Sequence, residues 1–187
     1  MKILLSSNKQ VIKNYLRENS KIGFIPTASE LDSDRWYMEK DKKDLINMNY
    51  SITNIDITNE EKEEILNKLN CFYLLQQLKQ KDIIEELKEF ANNKIYIGSS
   101  AGSCIACPSI DYVGKLDDKR EASLLHDYTA MNLIDKYILP HYKSDEEYSN
   151  LIDEIINDYP DLNFIKLTNN QAIIVNSRDD YQIIETD

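Results

Sequence analysis

Short continuous apolar runs punctuate this 187-residue chain, and longer amphipathic stretches lie between them. Runs of the first kind predict buried strands, and helical spacing between them predicts the helices that cover a sheet. Residues 2–6 (Lys-Ile-Leu-Leu-Ser) predict a first strand, with a helix over 11–16 behind it. A second strand is expected over 21–26, running into the Thr27-Ala28-Ser29 turn. A helix over 33–48 follows, with Trp36, Met38 and Leu45 facing inward, and then a third strand over 51–57. Thr58-Asn-Glu-Glu has the form of a capped, acidic-first helix start. Helices over 72–80 and 82–92 lead to a strand over 94–98. Later strands are expected at 136–139, 163–167, 171–175 and 181–184, with a helix at about 145–157. This alternation predicts an α/β fold with a mostly parallel central sheet, in a single domain spanning 1–187. One beat is missing. The helix ending near Leu69 runs almost directly into the helix starting near Phe72, where the rhythm calls for a strand.

The expected strand at 94–98 ends in Gly98-Ser99-Ser100-Ala101-Gly102, which fits G-x-S-x-G. Only four glycines occur in the whole chain, and two of them flank this serine. A strand-to-helix turn of this kind is tight, needs small neighbours and exposes the serine hydroxyl. Ser103-Cys-Ile-Ala-Cys107 reads as the opening of the helix, stopped by Pro108. Ser100 is therefore the candidate nucleophile. The N–H of the next residue, Ala101, is the expected oxyanion donor, helped by the helix N-terminus.

A serine needs a base, usually a histidine held by a carboxylate. The chain has two histidines, His126 and His141. His141 lies in Leu139-Pro140-His141-Tyr142, just past the end of an expected strand, on the edge where open α/β sheets assemble their sites. It is the expected base, whereas His126 reads as a surface or packing residue. Asp117, with Asp118 beside it, lies between Ser100 and His141 and gives the chain order Ser-Asp-His. Asp111, Glu121 and Asp127 share that interval and read as solvated acids.

Composition narrows the partners. Acidic residues outnumber basic ones 33 to 22, for a net charge of −11, which disfavours nucleic acid and anionic membranes. The opening apolar stretch is too short for a signal peptide, and the cysteine count is odd, at three, so a reducing cytoplasm is expected. Cys104-Ile-Ala-Cys107 has no second Cys pair or His cluster to complete a zinc site and reads as core packing. No phosphate-cradling glycine loop occurs, so no cofactor and no metal is expected.

Five segments in order carry a resemblance: Phe24-Ile-Pro-Thr-Ala-Ser29, Phe72-Tyr-Leu-Leu-Gln-Gln-Leu-Lys79, Tyr96-Ile-Gly-Ser-Ser-Ala-Gly102, Leu139-Pro-His-Tyr142 and Asn170-Gln-Ala-Ile-Ile174. Together they resemble the peptidase E family of serine peptidases, family S51. The resemblance implies a flavodoxin-like three-layer sandwich similar to class I glutamine amidotransferases. It also implies Ser100 as nucleophile, His141 as base, Asp117 as acid and Ala101 as oxyanion donor. The activity implied is hydrolysis of small peptides, Asp-X dipeptides among them, by a monomer or homodimer.

The chain departs from the family pattern at one point. Members carry a strand ending in Gly-Gly-Asn before the Phe-Tyr-Leu-Leu helix, and its backbone N–H groups complete the oxyanion hole. Here Asn70 has Leu69 before it, where a glycine is expected. A strand plus its loop accounts for about ten absent residues. The alternative function is a catalytically degenerate member that binds a small ligand or a protein through the same cleft.

Overall fold

The computed structural model describes residues 2–5, 9–29, 36–57 and 70–185. The helix start expected at Thr58 and the junction at Leu69 lie outside these residues. The described strands are β1 (Lys2–Leu5), β2 (Lys21–Phe24), β3 (Ser51–Asn54), β4 (Tyr96–Ser99), β5 (Tyr137–Leu139), β6 (Phe164–Lys166), β7 (Gln171–Val175) and β8 (Tyr181–Glu185). The α-helices are α1 (Trp36–Asn47), α2 (Cys71–Gln80), α3 (Ile84–Asn93), α4 (Ala101–Ile105) and α5 (Glu146–Asp158). Most expected elements form within a residue or two of their predicted bounds. The helix expected over 11–16 is instead a short 3₁₀ turn, Gln10–Asn14.

The fold is α/β. β1 pairs in parallel with β4 on one side and antiparallel with β7 on the other, and β8 extends the sheet antiparallel beyond β7. Two further parallel pairs, β2–β3 and β5–β6, stand as separate ladders among the described residues. Parallel pairing thus governs the βα part of the chain, and the last two strands form an antiparallel edge.

Alternate residues of the central strands feed two different cores. Leu4, Ile173 and Val175 pack with α2, α4 and α5, while Ile3, Leu5, Ala172 and Ile174 pack with Val11, Ile12, Leu45 and Met48. The period-2 alternation of a strand places these sets on opposite faces of the sheet, so both faces are covered. Met38 and Leu45 of α1 are buried as the sequence predicts, but Trp36 is 63% exposed. Trp36 is the first residue of α1 and stacks edge-on against Tyr37 instead of the core.

Candidate active site

Ser100 stands between the end of β4 and the first turn of α4. Its backbone adopts φ 50° and ψ −112°, a conformation that L residues rarely hold, at a cost of about 1–3 kcal/mol. Three contacts hold the strain in place. Ser100 N–H donates to Leu5 O (3.0 Å), and the buried Ser103 hydroxyl bridges Leu5 O (2.7 Å) and Gly98 O (2.8 Å). Close packing across the turn explains Gly98: a Cβ there would lie 2.5 Å from Gly102 O. Gly102 itself is under no such constraint, since its nearest neighbour would be the Tyr96 hydroxyl at 3.7 Å.

The base reaches the nucleophile from the carboxyl end of β5. His141 Nε2 lies 2.9 Å from Ser100 Oγ, within proton-transfer range. Pro140 ends the strand, and His141 takes φ 61°, turning its ring back toward α4. Among the cysteines, Cys104 and Cys107 explain why β5 sits there. Ile138 N–H donates to Cys107 Sγ (3.3 Å), while Ile138 O accepts from the Tyr112 hydroxyl (2.6 Å) and the Cys104 thiol (3.7 Å). The C-x-x-C pair clamps the backbone three residues before His141. Both thiols are free and buried, and burial pushes the Cys107 thiol up to about 12.

The ring's other nitrogen finds an amide. His141 Nδ1 lies 2.8 Å from Asn169 Oδ1. The β5–β6 ladder brings them together and continues past both strands, through Leu167 N–H to Leu139 O and Tyr142 N–H to Leu167 O, each 2.9 Å. Burial pushes the His141 pKa below its ordinary value, with the Asn169 hydrogen bond pulling the other way and the Lys9 charge pushing down. Tyr148 packs edge-on against the ring, with centroids 6.0 Å apart.

Asp117, the acid expected to back His141, lines the same cleft as Ser100 and His141. Its Oδ2 accepts the Cys71 N–H at 2.7 Å, at the N-terminus of α2, where the helix dipole favours a carboxylate. Asp118 caps the 3₁₀ turn at Lys119–Ala122 and holds the Arg120 guanidinium. Among the described contacts the partner at His141 Nδ1 is Asn169, while Asp117, which lines the same cleft, accepts from Cys71 N–H. Sequence reading missed Asn169 by searching for carboxylates between Ser100 and His141. The available signal was an amide pair, Asn169-Asn170, directly before an expected strand.

Ala101 is the first residue of α4, so its N–H has no intrahelical acceptor, and it lines the cleft beside Ser100. Asn70 caps α2 through its side chain on Tyr73 N–H (3.0 Å), and its own N–H donates to Ala28 O (3.2 Å). His126 is exposed and far from this arrangement in role. The cleft over Ser100 and His141 has a volume of about 500 Å³, in the range of small-ligand sites. Among the described residues its charged lining is Asp117, Asp145, Glu147 and Lys115. No helix among the described residues is long and apolar enough to cross a membrane.

Comparison with known proteins points the same way. The sequence model of peptidase family S51 matches residues 2–183. An uncharacterised peptidase of Pasteurella multocida is 33% identical over 173 residues, covering 86% of this chain and 83% of its own. An uncharacterised peptidase of Listeria monocytogenes is 33% identical over 197 residues, covering 94% of each chain. A crystal structure of a Listeria monocytogenes protein described as a peptidase E superposes with a TM-score of 0.85 at 28% identity, covering 100% of this chain and 98% of that one.

Proposed function

Since the chain belongs to peptidase family S51, we propose that it is a serine peptidase acting on small peptides, with Ser100 as nucleophile and His141 as base. The observation that carries this reading is the 2.9 Å contact between Ser100 Oγ and His141 Nε2 at a strained elbow on the cleft floor. In the reaction His141 takes the Ser100 proton as Oγ attacks the scissile carbonyl, then delivers it to the departing amine. Ala101 N–H stabilises the oxyanion. Water repeats the sequence on the acyl-enzyme and releases Ser100.

Family resemblance implies Asp-X dipeptides as substrates, and an aspartate side chain would need a cation. Lys115 is the cleft's cation among the described residues, and Glu154 (2.9 Å) and Asp158 (2.8 Å) already hold it. Three carboxylates share the same cleft. The described charges therefore support short peptides in general and give no preference for an N-terminal aspartate. Cleavage assays on an Asp-Leu, Ala-Leu and Lys-Leu series test this, with Asp-Leu expected to be turned over no faster than Ala-Leu. Ser100→Ala is expected to lose roughly 10⁴-fold or more of turnover while keeping the wild-type melting temperature. Unchanged turnover in that variant would refute the assignment.

A further inference from the structure

We infer that Asn169 is the positioning residue for His141, holding Nδ1 with an amide carbonyl where a carboxylate was expected, so that the base stays neutral to lower pH than an acid-backed histidine would. The inference rests on the reading of Ser100 and His141 as nucleophile and base. Its ground is the pair of hydrogen bonds on the two ring nitrogens, 2.9 Å to Ser100 Oγ and 2.8 Å to Asn169 Oδ1. A carbonyl oxygen can only accept, so the ring proton sits on Nδ1 and the Nε2 lone pair faces the serine.

The turn that carries Asn169 is closed by two hydrogen bonds. Thr168 N–H donates to Gln171 Oε1 (3.1 Å) and Gln171 N–H to Thr168 O (3.1 Å). The extended β5–β6 ladder fixes that turn beside His141.

What an amide changes is the charged state. When Ser100 Oγ–H breaks, the proton joins Nε2 and the ring becomes an imidazolium. A carboxylate stabilises that cation through a charge-assisted bond roughly twice as strong as a neutral one. Asn169 offers only the neutral bond. The surroundings add to this on one side: Lys9, paired with Asp41 at 2.6 Å, disfavours the imidazolium. Asp117, Asp145 and Glu147 also line the cleft, and carboxylates favour an imidazolium; Lys115, Tyr148 and the Cys71 and Cys104 thiols are the other titratable groups of the lining. The trade is a weaker base that is available over a wider acid range.

Two histidines make the test direct. Imidazole ¹⁵N and ¹³C NMR on the full chain, with His126→Gln to assign the signals, reads the tautomer and the titration of His141 without any turnover. The wild type is expected to show the Nδ1–H tautomer. Asn169→Asp should raise the His141 midpoint by about one pH unit or more. The acid limb of Ser100 labelling by a fluorophosphonate should move to higher pH with it. Asn169→Leu should lose the tautomer bias and slow labelling roughly tenfold or more. An Nε2–H tautomer in the wild type, or an unmoved midpoint in Asn169→Asp, would overturn the inference. The expected NMR behaviour with no labelling at any pH would uphold the role of Asn169 and defeat the peptidase reading instead.

Discussion

Gly98 and Gly102 look equivalent in the elbow, yet the structure assigns them different tasks. A methyl group at 98 would press into Gly102 O at 2.5 Å, against backbone that cannot yield without opening the turn. Gly98→Ala is therefore expected to cost about 1–3 kcal/mol and to lower turnover with it. Gly102→Ala meets nothing closer than 3.7 Å and should leave thermal stability within about 0.5 kcal/mol of wild type. Denaturant unfolding of the two variants distinguishes them. His141 supplies a second residue-scale expectation. Burial holds its folded pKa below the ordinary 6.5, so the unfolded chain binds the proton more readily. Its contribution to stability is complete above pH 6.5 and is lost as pH falls through that value toward the lower folded pKa. His141→Gln should flatten this part of the stability profile in acid titrations. Ser100 and His141 were legible in the sequence because each carries a local signature, an elbow and a strand-end Pro-His. Asn169 carries only an amide pair before a strand, which names no chemistry by itself. Its role comes from a ladder between β5 and β6 that periodicity does not reveal.

At the level of elements, the strongest dependence runs from α4 to β5. Ile138, buried in the core, satisfies its N–H on Cys107 Sγ and its carbonyl on Tyr112 and Cys104. A sequence reading of C-x-x-C as apolar packing catches the burial and misses the hydrogen bonds, because sulfur's acceptor role depends on which strand arrives. Cys107→Ala leaves the Ile138 N–H without its acceptor. It should cost about 1–3 kcal/mol, measured by denaturant unfolding, and should lower turnover by shifting His141. Wild-type stability in that variant would show that the clamp carries no weight. Helix α2 shows the complementary case. Asn70 stands where the family pattern has the Asn of Gly-Gly-Asn, and among the described residues it is the buried N-cap of α2, with Nδ2 on Asp118 O at 2.9 Å. The same N-terminus holds Asp117 through Cys71 N–H.

Over the whole molecule, alternating apolar runs were enough to predict an α/β fold, since β1 and β7 bury residues on both faces. Strand order was not legible. Nothing in the runs distinguishes β7, antiparallel beside β1, from a parallel neighbour, because a fully buried strand has the same composition in either direction. At the largest scale the fold brings three distant points, residues 100, 141 and 169, into one chain of hydrogen bonds beside a cleft of about 500 Å³. The most direct test of that arrangement is to treat the full chain with a fluorophosphonate and read intact mass and the modified peptide. A single adduct on Ser100, lost in His141→Gln, is the predicted result. No adduct, or one on another residue, would contradict it.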